Sequence, residues 1–250
     1  MPTIELLQTG FTFVSDQARL GLSTVALIRG HRNILVDTGH QGRRQLLQAA
    51  LAARGLGPSD IHMVVLTHSH WDHSQNVDLF PRATFCIHHN ELDYARNPKP
   101  GDFATASYFP AIMRLYNVQE VVEGQELDPG VRVIETPGHT KGHISLLVDT
   151  PQGPVCIGGD AMSDATSAFR GLPGLVFWSE EQARSSIQKM LAASRTFYPG
   201  HDRPFRLEAN QRVTYLAGDT SVRFTASLGY GQGTVSVTIG PEPLPQPLIL

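Results

Sequence analysis

A layered α/β domain is what this sequence predicts, and three observations predict it. Strand-like and helix-like segments alternate through the first third of the chain. Short apolar runs rich in β-branched residues recur and end in polar residues, and 250 residues suffice to bury one sizeable core. Residues 23–29 and 33–37 read as strands, and 45–53 as an amphipathic helix. After the punctuation of Gly55 to Pro58, residues 61–66 are apolar without alternation, the pattern of a strand covered on both faces, which delivers Thr67 to the sheet edge. Residues 84–87, 131–135, 144–148 and 154–157 repeat the pattern. Ser179 and Gln182 form a Ser-x-x-Gln capping signature ahead of a helical stretch running through Leu191.

Two stretches break this rhythm. Residues 91–116 are a helix-prone insertion carrying Tyr94, Phe103, Tyr108, Phe109 and Tyr116, rings that either wall a pocket or pack beneath a long connection. Beyond Tyr215, residues 221–227 and 234–239 alternate around a Gly-rich turn at 229–233 and predict a β-hairpin, followed by a Pro-rich arm at 241–250. The expected division is a main domain, 1–217, and a C-terminal hairpin and arm, 218–250. The hairpin and the arm with its apolar end are expected to cover the domain's own sheet edge or a partner subunit in a homodimer.

Composition narrows the function. A net charge of -3 with mixed signs gives no basic track for nucleic acid or an anionic membrane surface, so a small-molecule substrate is expected. Cys86 and Cys156 are too few for a disulfide framework and read as buried thiols in a reducing compartment. The N-terminus has no secretory pattern and no apolar stretch approaches spanning length, so the expectation is a cytoplasmic protein without membrane association.

Chemistry concentrates in Thr67-His68-Ser69-His70-Trp71-Asp72-His73, directly after the buried strand. His68 and His70, two apart in an extended segment, face the same way, while Asp72 and His73 turn past them toward a second position. Imidazole and carboxylate together are the ligand set of a catalytic zinc that keeps a coordination position for water.

This stretch resembles the HxHxDH signature of the metallo-β-lactamase superfamily. Three further motifs follow in the order that family has them: Thr136-Pro137-Gly138-His139-Thr140, Gly158-Gly159-Asp160 and Tyr198-Pro199-Gly200-His201-Asp202. The resemblance implies an αββα sandwich, two mixed sheets flanked by helices. It also implies two divalent metal ions, zinc first, with iron, manganese or cobalt as the alternatives. The first ion would take His68, His70 and His139, the second Asp72, His73 and His201, with Asp160 spanning both. Such a pair turns a shared water into a hydroxide nucleophile, and Asp72 is placed as both ligand and catalytic proton carrier. Asp37 resembles the family's aspartate that fixes a ligand histidine's tautomer, with a helix or turn cap as the alternative. His143 matches a recurrent family position, either catalytic or a hydrogen-bonded structural histidine. His31, His40, His62, His88 and His89 have no motif behind them.

Departures from the family's branches bear on substrate. Asp160 stands where zinc β-lactamases of the commonest subgroup carry a cysteine, the tail lacks the helical domain of glyoxalase II-type thioesterases, and no basic surface marks a nuclease. Acyl-homoserine lactonases match best, in the histidine loops, the insertion and the closing Gly-His-Asp. Their tyrosine beyond the bridging aspartate is absent, since Asp160 is followed by Ala161, Met162 and Ser163. The resemblance implies hydrolysis of a lactone or other carboxylic ester. The alternatives are phosphodiester or RNA cleavage, thioester hydrolysis, an iron-dependent oxygenase and a non-catalytic metal-binding protein.

Overall fold

The computed structural model describes residues 1–209, 211–216, 221–227 and 233–239. Its first half builds a six-stranded sheet. Strand β1 (Thr3–Gln8) leads through a hairpin of β2 (Phe11–Val14) and β3 (Arg19–Leu22) into β4 (Val25–Arg29) and β5 (Asn33–Val36); helix α1 (Arg44–Ala52) then crosses to β6 (Met63–Val65). The one-turn helix α2 (Trp71–Ser74) precedes β7 (Thr84–His88), α3 (His89–Arg96), α4 (Phe109–Met113) and β8 (Asn117–Val121). The order is β1-β4-β5-β6-β7-β8, antiparallel up to β5 and parallel from β5 onward.

The second half builds a seven-stranded sheet from β9 (Glu126–Asp128), β10 (Val131–Glu135), β11 (Ile144–Thr150) and β12 (Gly153–Gly159), followed by helices α5 (Ser167–Arg170) and α6 (Glu180–Ala193). Strands β13 (Thr196–Pro199), β14 (Phe205–Leu207) and β15 (Val213–Tyr215) complete it, in the order β15-β14-β13-β12-β11-β10-β9. Only β12 and β13 pair in parallel, and α6 lies in the connection that this pairing requires. Ser179 caps α6 by accepting from the Gln182 backbone N–H at 3.3 Å.

Alternating strand faces turn this order into layers. Val25 and Leu27 of β4 face a core with Leu47 and Leu51 of α1, while Ala26 and Ile28 face a second core shared with Val131, Val133, Leu146 and Val148 of the other sheet. A third core joins Cys156 and Phe197 to Ile187 and Met190 of α6. Helix, sheet, sheet and helix are therefore stacked as αββα. The apolar run at 61–66 is non-alternating because β6 is central, with Val64 in the first core and Met63 and Val65 in the second.

The C-terminal hairpin is present as β16 (Val222–Ser227) and β17 (Thr234–Ile239), a ribbon that extends neither main sheet. It lies on the β2–β3 hairpin, where Phe224 stacks on Phe13 at 4.9 Å and meets Phe11 edge-on at 6.2 Å. Most of the expected Gly-rich turn, the boundary at 217/218 and the arm at 241–250 lie outside the described residues. Among the described residues no helix is long and apolar enough to cross a membrane.

Candidate metal centre

The motif residues leave the sheets at one end of the sandwich. His68 to His73 follow β6, His139 sits between β10 and β11, Asp160 follows β12 and His201 follows β13. The first sheet thus supplies four of these side chains and the second sheet three. Gly138 lets the His139 loop lie against α6: its φ is +137°, and a Cβ there would collide with the Ala183 backbone.

Donor atoms of His68, His70, His139 and Asp160 form one group, and those of Asp72, His73 and His201 a second, each within 4.8 Å. Asp160 touches both. Its Oδ2 lies 3.4 Å from His139 Nε2 and 3.2 Å from His201 Nε2, and its Oδ1 lies 3.2 Å from His73 Nε2. His201 Nε2 is 3.4 Å from Asp72 Oδ2, and His139 Nε2 is 3.0 Å from His70 Nδ1.

This donor set fits divalent cations. Nε2 of His68 and His73, Oδ2 of Asp72 and Oδ1 of Asp160 are buried without hydrogen-bond partners, an arrangement that costs free energy unless a cation satisfies them. The second nitrogens are engaged elsewhere: His73 Nδ1 with Asp37 Oδ2 at 2.7 Å and His139 Nδ1 with the Leu175 carbonyl at 2.8 Å. Burial, with His73, His70 and His139 nearby, holds His68 well below the usual histidine range, and burial brings His139 down to about 4. Burial also opposes charge on His73 and His201, but the carboxylates around them outweigh it: Asp160, Asp72 and Asp37 hold His73 well above its ordinary value, and Asp160 and Asp72 lift His201 to about 9. His68 and His139 are thus ready as neutral ligands, and the second group attracts positive charge.

Asp37 is not a turn cap. Its carboxylate accepts from Thr67 N at 2.8 Å and lies against His73, and the residue holds a φ of +59°, a conformation that non-glycine residues seldom adopt. His143 is a brace: its Nε2 accepts the backbone N–H groups of Asp160 and Ala161 at 3.1 and 3.3 Å, so its Nδ1–H donates to Thr136 Oγ1 at 2.8 Å. Burial holds it well below the usual range, as a neutral ring with this tautomer requires. None of the five motif-less histidines belongs to either donor group.

Two acidic residues here were not anticipated. Asp102 accepts from Tyr94 Oη at 2.7 Å and Thr105 Oγ1 at 2.8 Å and lies 3.3 Å from His70 Nε2. Despite burial, contacts with His70, Tyr94 and Thr105 hold its carboxyl well below the usual range. Glu91, fully buried, accepts from Ser69 N and Oγ with one oxygen and from Thr140 Oγ1 and Gly142 N with the other, at 2.7–2.9 Å. It clasps the His68–His70 loop to the His139 loop.

Beside the donor groups opens a pocket of about 230 Å³ whose lining includes Asp72, Trp71, Phe103, Leu175 and Phe177. The aromatic insertion divides between the two readings given above. Phe103 and Ala104 wall this pocket, Tyr94 and Phe109 are buried beneath the connection, and Tyr108 is exposed. The insertion is stitched to the ligand loop by Trp71 N donating to Ala104 O at 3.1 Å. Ser163 also lines the pocket, but its hydroxyl accepts from Gly174 N at 2.8 Å and shares a hydrogen bond with Ser167 Oγ at 3.0 Å.

Fold and donor set together define a metallo-hydrolase: a four-layered sandwich with a His/Asp metal site at one end, open to a pocket. The chain belongs to the metallo-beta-lactamase superfamily, whose sequence profile matches residues 18–201. Metallo-beta-lactamase domain-containing protein 1 of Xenopus laevis is 32% identical over 74% of this chain and 72% of its own length. The match spans 65% of the human protein of that name, so the chain covers less than two thirds of that relative. An N-acyl homoserine lactonase from a Bacillus species is 30% identical over 54% of this chain and 52% of its own length. The solved structure of a dizinc quorum-quenching lactonase, AidC, is 17% identical and superposes with a TM-score of 0.62 over 80% of this chain and 81% of its own, which shows the shared fold.

Proposed function

We propose that the chain hydrolyses a lactone or other carboxylic ester at a dinuclear centre. The observation that carries this reading is the pocket, which sets the unpartnered Asp72 Oδ2 beside an apolar wall of Phe103, Leu175 and Phe177 and holds no basic track for a polyanion. His68, His70 and His139 would hold one ion, Asp72, His73 and His201 the other, and Asp160 both. When bound, two such ions acidify a shared water into a nucleophile and polarise the scissile carbonyl. Zinc suits the donor set and is the metal of the dizinc lactonase of the same fold. In the reaction water adds across the acyl C–O bond, giving a carboxylic acid and an alcohol. Asp72 takes up the proton released by the water and passes it to the departing alkoxide. Ser163 does not replace the lactonases' tyrosine, because its hydroxyl is committed to Gly174 and Ser167.

The test is a substrate panel on the metal-loaded protein: lactones, aryl esters, a thioester, a β-lactam, a phosphodiester and single-stranded RNA. Lactones and aryl esters should give the highest kcat/KM, and Asp72→Asn should lower kcat on them by about 10²-fold or more. Dominant cleavage of the phosphodiester or RNA would replace this reading with a nuclease. Turnover undiminished by Asp72→Asn would remove Asp72 from the mechanism.

A further inference from the structure

The β2–β3 hairpin is a two-faced flap. Its register pairs Phe11 with Leu22, Thr12 with Gly21, Phe13 with Leu20 and Val14 with Arg19. With a side-chain period of two, Phe11, Phe13, Leu20 and Leu22 share one face, and Thr12, Val14, Arg19 and Gly21 the other. The first face receives Phe224 of the C-terminal ribbon. On the second, Thr12, Gly21 and Arg19 line the pocket over the metal centre. Gly21 approaches so closely that a Cβ there would collide with Asp72 Oδ2 and stand 3.1 Å from His201 Cε1. Arg19, on the same face two positions along β3, is about 7 Å of strand from Gly21, the residue that abuts the proposed proton carrier.

Arg19 is the one Lys or Arg among the pocket's lining residues. Among the described residues its side chain has no carboxylate or hydrogen-bond partner. The third acid of the lining, besides Asp72 and Asp160, is Asp164; it is engaged by Arg170 at 3.4 Å, by Thr166 Oγ1 at 2.7 Å and by Ser167. Among its described lining residues the pocket therefore offers one uncompensated guanidinium. Its apolar wall keeps exposed surface: Phe103 is 57% and Leu175 39% exposed, and Phe103 meets Phe177 edge-on at 5.5 Å. A guanidinium in this position is a fork for a planar anion.

We infer that the substrate carries a carboxylate several bonds from its scissile carbonyl, seated on Arg19 while its apolar part lies on Phe103, Leu175 and Phe177. This rests on the ester-hydrolase reading above and narrows it to anionic esters or lactones, in contrast to the uncharged acyl chain of an acyl-homoserine lactone. The flap delivers both requirements at once, close approach through Gly21 and charge through Arg19.

The experiment uses aryl esters of a dicarboxylic acid in two forms, the free terminal carboxylate and its primary amide, with metal-loaded wild type, Arg19→Ala and Arg19→Glu of matched metal content. Wild type should prefer the carboxylate by about tenfold in kcat/KM, mostly through KM, and less so at raised ionic strength. The ratio should fall to near one in Arg19→Ala and invert in Arg19→Glu. Absence of preference in wild type, or a preference surviving Arg19→Ala, overturns the inference. If neither ester is turned over, the hydrolase reading fails, and Arg19 is then judged by calorimetry with amide-linked analogues that cannot be hydrolysed. Tighter binding of the carboxylate analogue by wild type than by Arg19→Ala supports the anion site, and equal binding refutes it.

Discussion

His70 turns one ring nitrogen toward His139 and the other toward Asp102, so the insertion holds a ligand of the first proposed ion. Asp102→Asn should weaken metal binding at that site by about 10- to 100-fold, read by chelator competition without reference to turnover; unchanged affinity would reduce Asp102 to a loop anchor. Glu91→Ala removes the acceptor of four hydrogen bonds, all four from donors on the two loops that carry His68, His70 and His139. We expect a loss of about 3–5 kcal/mol in urea unfolding, with Glu91→Gln intermediate because it keeps one acceptor oxygen. Both acids escaped the sequence because the ligand-loop residues they hold lie 22 to 51 residues away with no spacing to betray them. The seven donor residues were legible because strand ends force them into short motifs, Thr67 to His73 above all.

At the scale of elements, apolar periodicity located β4 to β7, β10 to β12 and the capped helix α6, since burial on defined faces is what writes that period. It did not reveal β1 to β3, β8, β9 or β13 to β15. The strand β2 is four residues long with no fully buried position, so tertiary contact rather than local pattern sets its conformation. The same contact makes a prediction. Phe224→Ala should leave the sandwich folded but speed amide hydrogen exchange in residues 11–22, and cost about 1 kcal/mol in stability. Exchange confined to its wild-type rate would show that the ribbon does not hold the flap.

For the whole molecule, seven donors in two groups predict close to two ions per chain by elemental analysis after mild dialysis. A value staying near one under metal supplementation, unaltered by His201→Ala, would refute the dinuclear assignment. Chelation should lower Tm: a ligand present at 1,000 times its Kd contributes about 4 kcal/mol to the native state, and its removal returns unpartnered buried atoms to the interior. An unchanged Tm would mean that these atoms are satisfied in another way.

Four donors come from the sheet built first in the chain and three from the sheet built second. During synthesis the His68–His73 segment therefore emerges well before His139, Asp160 and His201 exist to complete it. On the proposed ligand assignment neither ion has its full donor set until both halves have met at the seam. A chain divided between β8 and β9 should then reassemble from its two fragments more tightly with metal than without, which makes the centre a clasp whose loading reports that folding is complete.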